Sequence, residues 1–350
     1  MNENITHLYS DVPSRYAEPI KQRSYKIGAV LRRILPADTQ IVLGSGPIMH
    51  EEARGLRSKT SQGRPLVIIG TVVKAPSDGY KSALYGLNTP GTNDLTGSGI
   101  ATDCFKCLAK YREYQENIGN LTRIKDPKAS DSNGQFVVNN LNETFHAVKE
   151  IGNGKNVEVV AMPNLQVIND RISVGLINLG KFGIYLHIGR EKTAMYNGKE
   201  VYGGTKGVVV KAGDKIALEL AYIELDIDPS IVELGLEALR RYCKLASSGL
   251  VSVDVISGFA ENGEEFEGVV DVTPRIGGAT PMQIVAIEAL RQESRYQHNP
   301  TRVLAKSHLL YNSGSGDNLH GTIFADTTKV SSADDDTLKL IIAANVTGVK

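Results

Sequence analysis

Residues 250–278, LVSVDVISGFAENGEEFEGVVDVTPRIGG, hold two β-branched runs separated by an acidic, glycine-containing turn, and each run is broken by one aspartate. Side chains alternate across a strand, so Asp271 and Thr273 share one face while Val272 points to the other. If the two runs pair as antiparallel strands around ENGEEFEG, Asp254 reaches that same face. A carboxylate is costly to bury unpaired, so aspartates set inside apolar runs point to a cation on their face. Two carboxylates and a hydroxyl suit a hard divalent ion, which takes oxygen ligands. An ordinary solvated hairpin face is the alternative.

Outward from this pair the chain alternates strand and helix signals. Downstream, Gly277 and Gly278 allow close backbone approach, and the helix PMQIVAIEALRQESR starts at Pro281, whose missing N–H costs nothing in a first turn. Arg275, Gly277, Gly278 and Thr280 form a candidate carboxylate or phosphate corner, because a helix N-terminus favours an anion. A plain strand-to-helix turn is the competing explanation. Upstream, Ile231, Leu234, Leu236, Leu239 and Tyr242 recur at helical spacing, with an end at Gly249. Strands are expected over RISVGLINL and GIYLHIG, and Asn197-Gly198 is a strong hairpin signal. His187 falls between strand and loop, in reach of a substrate or making a polar strand-end contact. YGGTKG, residues 202–207, reads as turn-rich, with Lys206 as its cation.

Toward the N-terminus, RPLVIIGTVV is a continuous apolar run of the kind buried on both faces of a parallel sheet. A polar leader precedes a short helix, SYKIGAVLRRIL, closed by Pro36, and IVLGSG reads as a strand entering a glycine turn. Residues 75–99 carry the Gly, Ser, Asn, Pro and Thr of a loop or hinge. Asp103 is placed to cap a helix over CFKCLAKYREYQEN. Then come a strand in LTRIK, a loop in DPKASDSNGQ, a strand in FVV, a helix spaced by Leu141, Phe145 and Val148, and a strand in VEVVAM.

The 350 residues carry 39 basic and 39 acidic side chains. A neutral total argues against a chain that wraps nucleic acid or binds a membrane surface by charge. No segment approaches 18 uninterrupted apolar residues, and the opening residues lack a secretory signal. Three cysteines, Cys104, Cys107 and Cys243, are too few and too uneven to staple a chain of this length. A cytoplasmic location is therefore expected. One C-x-x-C cannot close a four-ligand zinc site; on a helix, Cys104 and Cys107 would be small apolar surface.

In order and spacing, residues from about 120 to 295 resemble the ATP-grasp superfamily of carboxylate–amine ligases. TRIKDPKASDSNGQFVV looks like that family's strand ending in a nucleotide-contacting lysine, followed by a small-residue loop over the phosphates. The helix from Asn142 to Glu150 and the strand VEVVAMPN match its lid helix and the strand into the adenine hinge. DVTPRIGGATP resembles its metal and phosphate strand, with Asp254 as the upstream acid.

The resemblance implies a mixed α/β fold: an N-terminal α/β unit over 1–100, a nucleotide-binding lid over 101–190, and an ATP-grasp body over 191–350. It implies that Lys125 and Arg275 are catalytic, that Lys125, Ser130, Ser132, Gly134, Glu158, Met162 and Lys206 bind ATP, and that Asp254, Asp271 and Thr273 bind Mg2+. The implied reaction joins a small carboxylate and an amine, amino acids or short peptides, through an acyl phosphate. Nucleic acid and membrane partners are not implied, and homodimerisation stays open.

Some residues depart from the family pattern. Asp271 stands where glutamate is usual and Thr273 where asparagine is usual, the hinge VVAMPN lacks its acid, and neither Lys106 nor Lys110 aligns securely with the upstream ATP lysine. Two further readings stay open: an ATP-grasp shell that binds nucleotide or serves in assembly with weak chemistry, and a kinase acting on a non-carboxylate acceptor. A second lysine–glycine stretch, Lys74 to Gly79, runs into turn-rich sequence and reads as a solvated strand-end lysine.

Overall fold

The computed structural model describes residues 5–8, 27–44, 46–59, 63–75, 100–103, 122–126, 134–153, 158–196, 199–245, 247–261, 263, 265–295, 300–311 and 321–332. At the N-terminal end are β1 (Ile5–Leu8), a helix α1 over 27–34, β2 (Gln40–Gly44), β3 (Ile48–Met49), α2 (His50–Lys59), β4 (Leu66–Ile69) and β5 (Thr71–Val73). β1, β2 and β4 pair in parallel, as the continuous apolar run requires. Ile41, Leu43, Val67 and Ile69 pack against Ile27, Leu31 and Ile34 of α1 on one side. Val42 belongs to a second cluster with Ile48, Ala53 and Val72.

Two details differ from expectation. The polar leader contains β1, whose Ile5 and Leu8 join these clusters from partly buried positions. RPLVIIGTVV is two strands, because the run breaks at Gly70 and its halves enter different sheets.

The next unit is a four-stranded antiparallel sheet of β6 (Ile100–Asp103), β7 (Thr122–Lys125), β8 (Gln135–Val138) and β9 (Glu158–Pro163), in the order β6-β9-β7-β8. Helix α3 (Leu141–Gly152) covers it, burying Ala147 and Val148 against Ile124, Val138 and Val159. Asn140 starts this helix: its side chain accepts from the Glu143 N–H at 2.9 Å, and the Glu143 carboxylate accepts from the Asn139 N–H at 3.0 Å. Such reciprocal capping satisfies donors that a helix start leaves open. Asn153 closes it in the left-handed region, φ 48. All but Ala75 of the expected hinge over 75–99, and the expected helix over 104–117 with Cys104 and Cys107, lie outside the described residues.

The largest element is a seven-stranded antiparallel sheet. It is made of β10 (Leu165–Asn178), β11 (Ile184–Tyr196), β12 (Lys199–Lys211), β14 (Leu250–Ala260), β15 (Glu265–Thr273), β16 (Pro300–Tyr311) and β17 (Gly321–Ser332), in the order β15-β14-β10-β11-β12-β16-β17. β10 and the first half of β11, which sequence position grouped with the lid, hydrogen-bond into this sheet. Tyr196 pairs with Lys199 in the antiparallel β11–β12 ladder, the two residues that flank Asn197-Gly198.

One face carries Ile172, Val174, Ile188, Val208, Val210, Val253, Val255 and Val272. They pack on α4 (Lys215–Leu225) and α5 (Pro229–Leu245) through Ala217, Ala221, Ile231, Leu239 and Tyr242. The hydrophobic spacing predicted α5 but not α4, whose local start signal is Asp214, accepting from the Ala217 N–H at 2.9 Å. α4 is tied to the sheet by a buried ion pair, Arg302 Nε to Glu224 at 3.3 Å.

On the opposite face, Val209, Val303 and Ala305 join α6 (Thr280–Arg295) and the N-terminal core. The short strand β13 (Ser247–Ser248) pairs with β5 and links the two units. The Gly249 N–H donates to Gly70 O at 2.8 Å, and a side chain at Gly249 would lie 1.6 Å from Ile68 O. Only glycine fits that crossing.

The expected mixed α/β class is present: a parallel N-terminal unit, a small antiparallel sheet with one helix, then a large antiparallel sheet backed by helices.

Candidate functional site

Strand register brings the two aspartates together. Asp254 stands opposite Asp271, Ser173 opposite Asp254, Gly189 opposite Ser173, and Gly207 opposite Gly189. The period of two adds Thr273, Ser252, Arg171, Glu191 and Thr205 to the same face. Between Asp254 and Val255 the ladder slips: Asp254 pairs with Asp271 but Val255 pairs with Val269, leaving Val270 as the extra residue of a bulge. A bulge removes one residue from regular pairing. Lys125, at the end of β7 in the small sheet, is buried and donates from Nζ to the Val270 carbonyl at 3.5 Å. The lysine is thereby anchored to the backbone next to Asp271.

Glu191 joins this face from β11, and sequence reasoning missed it. Its carboxyl is held well above the usual carboxylate range, first by burial and then by Asp254, with Arg171 opposing and Asp271 adding. Mutual repulsion of this kind means that negative charge gathers at one place on the sheet. The available signal was the charged triplet Arg190-Glu191-Lys192 inside an otherwise apolar strand, with Glu191 an even number of residues from His187 and so on the same face.

Among the described residues, no three His, Cys, Asp or Glu side chains form a group that could hold a metal ion. The donor set here is two carboxylates. That number fits magnesium, which binds through one or two carboxylates and completes its shell with water and substrate phosphates. It does not fit an ion needing a cage of protein ligands alone.

Lys206 does not join them. It pairs with Arg190 on one side and Lys306 on the other, one residue out of phase with Thr205 and Gly207, so its side chain is on the opposite face from Asp254. YGGTKG is not a turn but part of β12, where Gly204, φ 126, adjoins an irregularity in pairing with β11. Local glycine content suggested a loop; long cross-strand pairing overrode it.

His187 is not at a strand end. It sits within β11, 1% exposed, with Nδ1 2.8 Å from Gln283 Nε2 of α6. The amide nitrogen can only donate, so Nδ1 accepts and the ring proton is on Nε2, which has no hydrogen-bond partner among the described residues. Burial pushes its pKa down to about 3. A methyl group at Gly175 would lie 2.9 Å from Nδ1, and one at Gly189 would lie 2.7 Å from Nε2. The two glycines make room for the imidazole.

After β15 the chain turns through Arg275, which is partly exposed, into α6. The Gly277 N–H donates to the buried Thr280 Oγ1 at 3.0 Å, and a side chain at Gly278 would strike the Tyr202 ring at 2.4 Å. In the small sheet, Gly134 has φ 64, a conformation suited to glycine. Its carbonyl accepts from the Asp126 N–H at 2.8 Å, closing the loop between β7 and β8. Ser130 and Ser132 lie outside the described residues. The backbones of Glu158 and Met162 pair with Asp103 and Arg123, but their side chains also lie outside the described set. Lys74 is exposed just beyond β5, as expected of a solvated strand end, and Cys243 is exposed on α5.

Among the described residues no helix is long and apolar enough to cross a membrane. A family model described as "Protein of unknown function (DUF3182)" matches residues 116–329. No curated protein matches. Among solved structures, the chain is similar to the VanG D-Ala:D-Ser ligase from Enterococcus faecalis, with 15% identity and a TM-score of 0.40 over 69% of this chain and 65% of that one. It is similar to N5-carboxyaminoimidazole synthetase from Staphylococcus aureus complexed with ADP, with 14% identity and a TM-score of 0.41 over 88% and 82%. Biotin carboxylase from Campylobacter jejuni gives 11% identity and a TM-score of 0.44 over 89% and 71%. The chain thus spans just under two thirds of the first of these proteins.

Proposed function

The chain belongs to the DUF3182 family, and from that premise we propose that it is an ATP-dependent carboxylate–amine ligase of ATP-grasp type. The observation that carries this reading is the pairing of Asp254 with Asp271 across one ladder step, with Lys125 of the small sheet donating to the carbonyl beside them. Two carboxylates and one cation at the meeting of two sheets are what phosphoryl transfer from a metal-bound nucleotide requires.

Asp254 and Asp271 would hold Mg2+, with the Thr273 hydroxyl on the same face. The ion supplies charge neutralisation for the phosphate oxygens, on which negative charge shifts during transfer. Lys125 faces the phosphates as a fixed point charge, and the family resemblance assigns Ser130, Ser132 and Gly134 to phosphate contact. Glu158 and Met162 belong to the strand that receives the adenine.

In the first step a substrate carboxylate oxygen attacks the γ-phosphorus, and the bond to the bridging oxygen breaks with its electron pair leaving on ADP. Arg275 stabilises the acyl phosphate formed. In the second step an amine attacks the acyl carbon, phosphate leaves with the C–O electron pair, and the nitrogen loses a proton to give the amide. Water must be kept out, because the activated acyl group hydrolyses; the small sheet and α3 form the cover. Amino acids or short peptides are the substrate class, and the cytoplasm is the compartment.

The test is turnover with product identification. The purified chain is given ATP, Mg2+ and mixed amino acids, and ADP, phosphate and a new amide mass are sought. AMP in place of ADP contradicts the acyl phosphate route. Nucleotide binding with no amide across a broad substrate set supports the binding-protein reading instead, and phosphate transfer to a hydroxyl supports a kinase.

A further inference from the structure

At the far end of β10, β11 and β12 from the small sheet lies a cavity of about 570 Å3. Its basic lining is Lys181, Lys211 and Arg291, its apolar lining includes Phe182, Ile184 and Tyr185, and among the described residues no acidic one lines it. From Ser173 on the acidic face to Leu179 at this end is six residues of near-extended chain, about 20 Å. The two sites are therefore separate.

Two of the cations are held there by contacts that supply no counter-charge. Lys181 Nζ lies 5.3 Å from the centroid of the Phe182 ring and the Arg291 guanidinium carbon 5.9 Å from the same centroid. Arg291 is pinned by a donation from Nη1 to Phe182 O at 2.7 Å, while its Nε has no hydrogen-bond partner among the described residues. The wall is fixed as well. The Leu179 N–H donates to Gly183 O at 2.9 Å and the Ala212 N–H to Ile184 O at 2.9 Å. Tyr185 and Leu290 are buried beneath it.

In a chain with as many acids as bases, a cavity with three cations and no carboxylate among the described residues of its lining is a local excess that an anion would relieve. Aromatic and aliphatic walls beside the cations add an apolar surface, and the volume falls in the range of about 300–1,000 Å3 usual for small-molecule sites.

We propose that this cavity binds a small organic oxyanion, a carboxylate or phosphate ester carried on a flat apolar body. The oxyanion lies among Lys181, Lys211 and Arg291, and the apolar body lies against Phe182 and the exposed Ile184. The site takes its ligand independently of the nucleotide, and it stands or falls apart from the ligase reading.

The test is calorimetric titration of the full chain at low salt with three probes: phenyl phosphate, benzoate and inorganic phosphate. The expected result is one-to-one binding of phenyl phosphate or benzoate at least about tenfold tighter than inorganic phosphate, a difference of about 1.4 kcal/mol. The better of the two organic probes assigns the anionic group. Replacing the two exposed lysines, Lys181→Glu with Lys211→Glu, should weaken that binding by more than about tenfold and leave binding of Mg-ATP unchanged. Lys211→Gln alone should give an intermediate loss and guards against a folding defect in the double variant. Absence of binding by every probe at millimolar concentration overturns the proposal. So does binding that the lysine variants do not weaken, since the ligand would then sit elsewhere. Equal affinity for inorganic phosphate and the organic probes refutes the role of the apolar wall.

Discussion

Taking the protein from pH 8 to pH 5 is expected to cost it stability through His187. The ring is buried between Gly175, Gly189 and Gln283, and burial moves its pKa from an ordinary 6.5 down to about 3. A base with a lowered folded pKa stays neutral in the native state while its unfolded counterpart takes up a proton. The stability it contributes is complete above pH 6.5 and is lost as pH falls from there toward 3. Each pH unit in that window costs about 1.4 kcal/mol, so the 1.5 units between 6.5 and 5 cost about 2 kcal/mol.

Histidine ring resonances followed by NMR from pH 8 to pH 5, with His187 identified by its loss in His187→Gln, report the titration directly. The His187 signal should hold still across the range. Urea unfolding of both proteins at the two pH values supplies the energy: the wild type should lose about 2 kcal/mol more than the variant on acidification, other titrating groups cancelling in the difference. A His187 resonance with a midpoint near 6.5, or equal losses in the two proteins, refutes the buried neutral ring.

Asp254→Asn and Asp271→Asn should each lower Mg2+-dependent turnover about a hundredfold or more while leaving thermal unfolding almost unmoved, because these side chains are only partly buried and serve charge rather than packing. Lys125→Ala should weaken nucleotide binding far more than Lys74→Ala, measured by titration with ATP, and the reverse order would move the phosphate loop to the exposed lysine. Gly249→Ala would drive a methyl into Ile68 O, at 1.6 Å with nowhere to go, and urea unfolding should show a loss of about 3 kcal/mol or more. Gly55→Ala on α2 meets nothing within 4 Å, and the same assay should show a gain of about 0.5–1 kcal/mol from helix propensity.

The acid pair was legible in sequence because strands alternate: aspartates inside VSVDV and VVDVT could belong to one face only if the runs paired, and the connecting loop was short enough to pair them. The helix opened by Pro281 and the pairing of the strands flanking Asn197-Gly198 were legible for similar local reasons, and the helix after β8 from the spacing of Leu141, Phe145 and Val148. YGGTKG misled because glycine content describes local freedom, while β12 is held by ladders to β11 and β16 that lie far away in sequence. α4 was overlooked because its apolar residues lack a single clear stripe, Ile216 and Ile223 being exposed while Ala217 and Ala221 are buried.

By itself, then, the sequence determined the mixed α/β class and the face shared by Asp254, Asp271 and Thr273. Tertiary structure alone decided which other groups meet that face. Lys206 was turned away by one step of register, Glu191 was brought in from β11, and Lys125 was anchored at the carbonyl of the bulge residue Val270. The physical reason is the period of the strand: a slip of one residue exchanges the two faces of a sheet, and register is set by partners the local sequence does not contain.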